Sequence, residues 1–168
     1  GRLYKPFQPP NWDHPMGTND IGLDVYTRVL YGGRVPLLVA TFSTLFALLI
    51  GTPLGLLSGY IGGFLDKLLS LVMDSLFAFP GLILAIAITS MLGPNIFNTA
   101  VAIAVIYVPV FFRVVRSQVL SIKELLYVES ARSIGESTFS IIFRYIFPNV
   151  IPGAVVILSM GFADAILI

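Results

Sequence analysis

The 168-residue chain has no cysteine, which excludes disulfides, thiolate nucleophiles and thiolate metal sites and leaves the redox compartment unread. It has one histidine, His14, with no second ligand near it in the sequence and no HExxH-like pair, so a zinc-type catalytic centre has no basis. Charge is scarce too. Only 11% of residues are charged, and a net charge of +1 argues against nucleic acid as the main partner. What remains is apolar: with 57% hydrophobic residues and a mean hydropathy of +0.92, the chain lies well outside the soluble globular range and reads as an all-α membrane protein.

Residues 1–34 are polar and turn-rich, with Pro6, Pro9, Pro10, Trp12, Asp13 and His14 leading into HPMGTNDIGLDVYTRVLYGGRVPLL. His14 reads as a turn residue, the alternative being a metal or substrate contact. Asp24 and Arg28, four apart, are expected to pair on a short helix along the membrane surface. No charge occurs from Val35 to Leu65, enough for one helix across a hydrocarbon core of about 30 Å. The expected spans are about 35–58, 68–92, 97–114 and 150–168. Gly51, Gly55 and Gly59 recur every fourth residue, either as a flat stripe for close helix approach or as the ordinary glycine content of membrane helices. Pro53 and Phe79-Pro80-Gly81 are expected to kink their spans and Pro109 to bend the end of the third. Gly62-Gly63 and Gly93-Pro94-Asn95 read as turns. A carboxylate at the centre of a span costs roughly 2.5–3.5 kcal/mol and is usually paired or functional. Asp74 therefore reads either as a structural residue at the interface or as a pore or gating residue.

Charge, helix caps and apolar periodicity coexist in residues 120–152. Ser121 with Glu124 forms a capping box, and Leu120 with Leu125 a hydrophobic staple, so a helix is predicted from Ile122 that carries Lys123, Glu124, Glu129 and Arg132. Gly135 supplies the left-handed position that ends it, and Ser137 caps a second helix. There Phe139, Ile142, Phe143, Ile146 and Phe147 are expected to share one apolar face about 100° wide, closed by Pro148 and Pro152.

Glu129-Ser130-Ala131, then Gly135, then Ile146-Phe147-Pro148 resembles the EAA motif of the membrane subunits of ABC importers, with the spacing matched in full. Ser130 stands for the second alanine, Phe147 for the usual leucine, and Tyr145 where many members have isoleucine. A second resemblance, to the dipeptide, oligopeptide and nickel importer permeases, rests on His14-Pro15, Gly17-Thr18, Gly22, Asp24, Arg28, Gly32 or Gly33, and Arg34. Asn19, Leu23, Thr27 and Pro36 depart from it. Together the two cover most of the chain, with residues 1–13 poorly matched.

The resemblance implies a polytopic transmembrane helix bundle of the type I importer permease fold, in a prokaryotic plasma or inner membrane. Gly1 is no initiator methionine and Ile168 lies in an apolar run, so the chain is read as a fragment lacking its first and last spans. Residues 1–34 would be extracytoplasmic, residues 35–168 the permease domain, and 121–147 cytoplasmic coupling helices. Basic residues orient it weakly, five in the loop (Arg113, Arg116, Lys123, Arg132, Arg144) against four before residue 35 (Arg2, Lys5, Arg28, Arg34). The orientation therefore rests mainly on the helix-pair motif, which faces the cytoplasm in the family.

Three function classes compete. An intramembrane enzyme lacks a convergent set of groups, since Asp74 and Asp164 are the only carboxylates near membrane depth and Ser43, Ser58 and Ser90 read as packing residues. A passive channel or structural subunit would not need a capped, charged helix pair with a glycine elbow. A membrane subunit of an ATP-driven importer would, as a ligand for a groove in another protein. The implied partners are ABC ATPase subunits that carry out ATP hydrolysis, a second permease subunit related to this one, an extracellular or periplasmic substrate-binding protein, and membrane lipid. No cofactor or metal is implied. Glu129, Ser130 and Ala131 are expected to dock on the ATPase, Gly135 to set the elbow, and Pro148 to join the second helix stiffly to the next span. Short peptides are the substrate that the resemblance favours, with nickel or another small solute as the alternative.

Overall fold

The computed structural model describes residues 4–167, and these are helical from Val25 onward, with no β-strand among them. Those up to Leu38 form one compact unit and those from Val39 a second.

The first unit is a turn-rich segment followed by α1 (Val25–Gly32). Its backbone doubles back on itself, with Tyr4 N–H donating to Gly22 O at 2.7 Å and Thr18 N–H to Gln8 O at 3.1 Å. Gly17 and Gly22 take φ of +70° and +75° at these crossings, where a side chain would be strained. Asp24 caps α1 by accepting from Thr27 N–H at 2.9 Å, and its other oxygen lies 3.2 Å from His14 Nδ1. The expected pair with Arg28 therefore does not form among the described residues. Asp24 precedes the helix, and its two oxygens are taken by the cap and the imidazole. His14 opens a turn, its carbonyl accepting from Gly17 N–H at 2.9 Å, and its ring is buried, packed edge-on against the Tyr4 ring at 4.2 Å. The Thr27 hydrogen bonds hold the Asp24 carboxyl below the ordinary carboxylate range.

Among the described residues, three stretches are long and apolar enough to cross a membrane: Val25–Ile61, Ile96–Ile122 and Thr138–Leu167. A fourth pair, α3 (Gly63–Phe77) with α4 (Gly81–Leu92), is bent by 90°, a broken span or a re-entrant loop. The bend falls at Phe79-Pro80-Gly81, where Pro80 is extended and cannot donate to a continuing helix. The expected kink is therefore a full break. Before it, α2 (Arg34–Ile61) continues through Pro53 and ends at Gly62-Gly63, both at positive φ.

The second unit is organised around α5 (Ile96–Ile122), whose Phe111, Val115 and Val119 are wholly buried. The sequence places the end of this span near residue 114 with a bend at Pro109, yet the helix runs on to Ile122 with Pro109 buried inside it. On one side the glycine stripe of α2 meets α5. A Cβ on Gly55 would lie 2.8 Å from Phe112 O and 2.9 Å from Val115 Cβ, and one on Gly59 2.8 Å from Val119 Cβ. The stripe is therefore a close-packed helix interface, since only glycine permits that backbone separation. On other sides α5 packs against α4, α3 and α8 (Phe147–Leu167).

A valine at Gly55 has to push these backbones apart, whereas a Cβ on Gly32, the last residue of α1, would meet nothing within 4 Å. Gly55→Val is expected to destabilise the detergent-solubilised protein by about 1–3 kcal/mol and Gly32→Ala to be near neutral, as read by thermal unfolding. Equal stability of the two variants would refute the close-packed interface.

Candidate functional site

The helix pair expected around Gly135 is present, with different boundaries. Ser121 does not open a helix, because its hydroxyl donates back to Ser117 O at 3.3 Å inside α5. The capping box of Ser121 and Glu124 is thus unused, and α5 ends one residue before Lys123. The next helix, α6 (Leu126–Ser133), starts at Leu125 without a side-chain cap. Packing decides this: Val119, Val128 and Ala131 enter one buried cluster with Ile141, Ile146 and Val150, and α5 gains more by staying helical to complete it than by breaking at a cap.

At the elbow, Gly135 has φ +82°. Gly135 N–H donates to Arg132 O and Glu136 N–H to Ala131 O, both at 3.1 Å, the paired 5→2 and 6→1 bonds of a Schellman ending. Ser137 then caps α7 (Thr138–Ile141), accepting from Ser140 N–H at 3.3 Å. A π-helical turn, Ile142–Ile146, joins α7 to α8, so neither Pro148 nor Pro152 closes the helix. In the π-turn each amide reaches back five residues, as Phe147 N–H does to Ile142 O, and the shifted register absorbs the donor that Pro148 lacks. The expected single apolar face is split. Ile141, Ile142 and Ile146 are buried, while Phe139 and Phe143 are exposed and line an apolar groove of about 520 Å³ with Leu48, Pro53 and Leu57 of α2.

Of the motif residues, Glu129, Ser130, Gly135 and Pro148 are exposed and Ala131 is buried. Ala131 is buried in a cluster with Ile141, Ile146 and Val150. The exposed side of the pair carries Leu126, Glu129, Ser130 and Ile134, with Leu126 80% and Ile134 78% accessible. Its base is tied to α2. Lys123 Nζ donates to Gly59 O at 3.0 Å, and the Arg132 guanidinium lies 5.7 Å from the Tyr60 ring.

The two carboxylates of α3 are paired with arginines of α5, whereas Asp164 of α8 is exposed and forms no ion pair among the described residues. Asp66 accepts from Arg116 Nε at 2.5 Å and Nη2 at 2.7 Å, and Ser58 Oγ also donates to it. Asp74 pairs with Arg113 at 2.6 Å, and that guanidinium lies 4.1 Å from the Phe77 ring. Arg113 and Arg116, read from the sequence as a positive exit from the membrane, are thus partners of the two carboxylates of α3. The missed signal is their spacing: two cations three apart on an apolar helix need anions within reach. No group of three or more His, Cys, Asp and Glu able to hold a metal occurs among the described residues. In the first unit, Tyr4, Asp13, His14, Leu23, Asp24, Thr27 and Arg28 line an open cavity of about 460 Å³.

Residues 51–167 match the family described as binding-protein-dependent transport system inner membrane component. The chain is 43% identical over 160 residues to the dipeptide transport system permease protein DppC of Alkalihalophilus pseudofirmus, covering 95% of this chain and 53% of that one. It is 41% identical over 158 residues to the glutathione transport system permease protein GsiD of Pectobacterium atrosepticum, and 40% identical to GsiD of Escherichia coli, with 94% of this chain and 52% of each relative covered. The chain spans about half the length of these relatives.

The two ion pairs differ in exposure: Arg116 and Asp66 side chains are 31% and 18% accessible, Arg113 and Asp74 43% and 61%. Asp66→Ala strands a partly buried guanidinium and is expected to cost about 2 kcal/mol, whereas Asp74→Ala should cost less than about 1 kcal/mol. Thermal unfolding in detergent checks the order, and a larger loss for Asp74→Ala would contradict it.

Proposed function

The chain belongs to the family of binding-protein-dependent transport system inner membrane components, and from that premise we propose that it is the membrane-spanning subunit of an ATP-driven importer, coupling a translocation path to separate ATPase subunits. The observation that carries the reading is the elbow. Its inner face is fixed to α5 and α8 through Val128, Ala131, Ile141 and Ile146, while its outer face offers Leu126, Glu129, Ser130 and Ile134 to a partner. A surface with an exposed apolar residue at each end, Leu126 and Ile134, and an acidic residue and a hydroxyl between them suits the helix-in-groove mode of recognition.

Force applied to that outer face reaches the spans by two covalent routes. One runs from Leu125 into the end of α5, the helix that contacts α3, α4 and α8; the other runs through the π-turn into α8. Closure of an ATPase pair around ATP would move the elbow as a lever and reverse which side of the path is open, driven by the difference in its contacts between the two states. Ala131 has no part in the docking surface on this reading. Asp74 and Arg113 form the more exposed of the two ion pairs between α3 and α5, and we assign Asp74 to the wall of the path.

The same reading places residues 1–34 outside the cytoplasm and residues 35–168 in the permease domain, with helices α6 and α7 facing the cytosol. A related second permease and an extracytoplasmic binding protein would complete the assembly. Short peptides are the favoured substrate, because the relatives named above are dipeptide and glutathione permeases; nickel or another small solute is the alternative.

Gly135→Val puts a β-branched residue at φ +82°, at a cost of about 1–2 kcal/mol, equivalent to roughly a tenfold loss of the native elbow population. Uptake per ATP hydrolysed by the reconstituted full complex should fall accordingly, and wild-type coupling in this variant would contradict the lever. Glu129→Lys should lower the amount of ATPase subunit that co-purifies with the permease. Unchanged recovery would remove Glu129 from the contact.

A further inference from the structure

A glycine elbow permits an angle without fixing it, so a lever bent at Gly135 needs something else to make it stiff. The residue that follows the glycine supplies it. Glu136 Oε1 accepts from the Tyr145 hydroxyl at 2.9 Å and Oε2 from the Ser140 hydroxyl at 3.0 Å, so one carboxylate at the joint holds α7 and the π-turn together. All three side chains are half-buried. Hydrogen bonds to an ionised carboxylate are the strong kind, and two from one carboxylate fix direction as well as distance.

The π-turn accounts for the reach of Tyr145. Its wider winding leaves Ile142 and Ile146 in the core and presents Tyr145 toward α6, where its ring lies 6.3 Å from that of Tyr127. Asn149, in the first turn of α8, donates to Tyr145 O at 2.6 Å and reaches the Tyr127 hydroxyl at 3.4 Å. A polar string thus runs from α6 across the joint to α8. Neither Glu136 nor Tyr145 belongs to the Glu129, Gly135 and Pro148 spacing, and Tyr145 stands where the resembled family commonly has isoleucine, which could not make this bond.

We propose that Glu136 and Tyr145 are positioning residues that brace the elbow, holding α6 at a fixed angle to α7 and α8 so that motion of the docked helix is transmitted and not absorbed. The role in transmission rests on the coupling function proposed above; the brace itself does not.

The test uses the full-length permease assembled with its partner subunits, with spin labels at the exposed positions Ser133 and Arg144. Their distance distribution is read by pulsed EPR, and ATP hydrolysed per molecule of a labelled dipeptide taken up is measured in parallel. Tyr145→Phe and Glu136→Ala are each expected to widen the distribution at least twofold and to raise the ATP consumed per uptake. The double variant should be no worse than either single one. Glu136→Gln, which keeps an acceptor oxygen for the tyrosine, should restore most of the narrow distribution, a rescue that general destabilisation would not give. A distribution in Tyr145→Phe as narrow as the wild type overturns the brace. A widened distribution with unchanged ATP per uptake upholds the brace and overturns its role in coupling. Should Tyr145→Phe fail to assemble, Ser140→Ala, which removes only the second bond, gives the same reading of the joint.

Discussion

Contact between backbones, made possible where side chains are absent, is the constraint on which this structure depends. Hydrocarbon solvates an apolar side chain as well as another helix does, so helices in it are held by close packing and by polar groups that find partners. Gly51, Gly55 and Gly59 supply the first, laying α2 against Val108, Phe112 and Val119 of α5 at distances that exclude a Cβ. Lys123 then ties the end of α5 to the carbonyl of the last glycine in the stripe. From this one seam the rest follows: α5 is fixed along its length, α3, α4 and α8 pack on it, and its final turn delivers α6.

The polar groups of the spans are few, and nearly all have a use. Asp66 collects Arg116 and Ser58, Asp74 takes Arg113, and Ser43 and Thr44 return their hydroxyls to Ala40 O. Among the described residues, Thr52 Oγ1 and Gln118 Oε1 are buried without a hydrogen-bond partner. Paired charge at the boundary of α3 and α5 does two things at once. It lowers the cost of placing carboxylates beside lipid, and it sets the register of a broken span against an unbroken one.

The elbow shows how local rules and packing divide the work. Its Schellman ending at Gly135 and its Ser137 cap obey sequence rules closely, because each is satisfied by backbone groups within a few residues. Its start does not. Ser121 and Glu124 offer a cap that the chain ignores, since completing the cluster of Val119, Val128 and Ile146 outweighs a cap of about 1 kcal/mol. The prolines mislead in the same way. Pro148 and Pro152 lie in a continuous helix because a π-turn shifts the hydrogen-bond register ahead of them, a compensation that periodicity does not encode. The Asp24 pairing fails for a related reason: an i, i+4 rule applies within a helix, and Asp24 is its cap.

By itself the sequence determined the class of molecule, where its apolar stretches lie, an irregularity at Phe79-Pro80-Gly81 and the elbow at Gly135. All of these are written in composition or in spacings within one helix or turn, where hydrophobic length and backbone sterics act locally. Tertiary structure alone decided which carboxylate meets which arginine, that Ala131 faces inward while Leu126 and Ile134 face out, and that Glu136 reaches Tyr145 across the joint. Those facts depend on how far each helix is rotated about its own axis, and rotation is set by the side chains of neighbouring helices, which no single stretch of sequence contains.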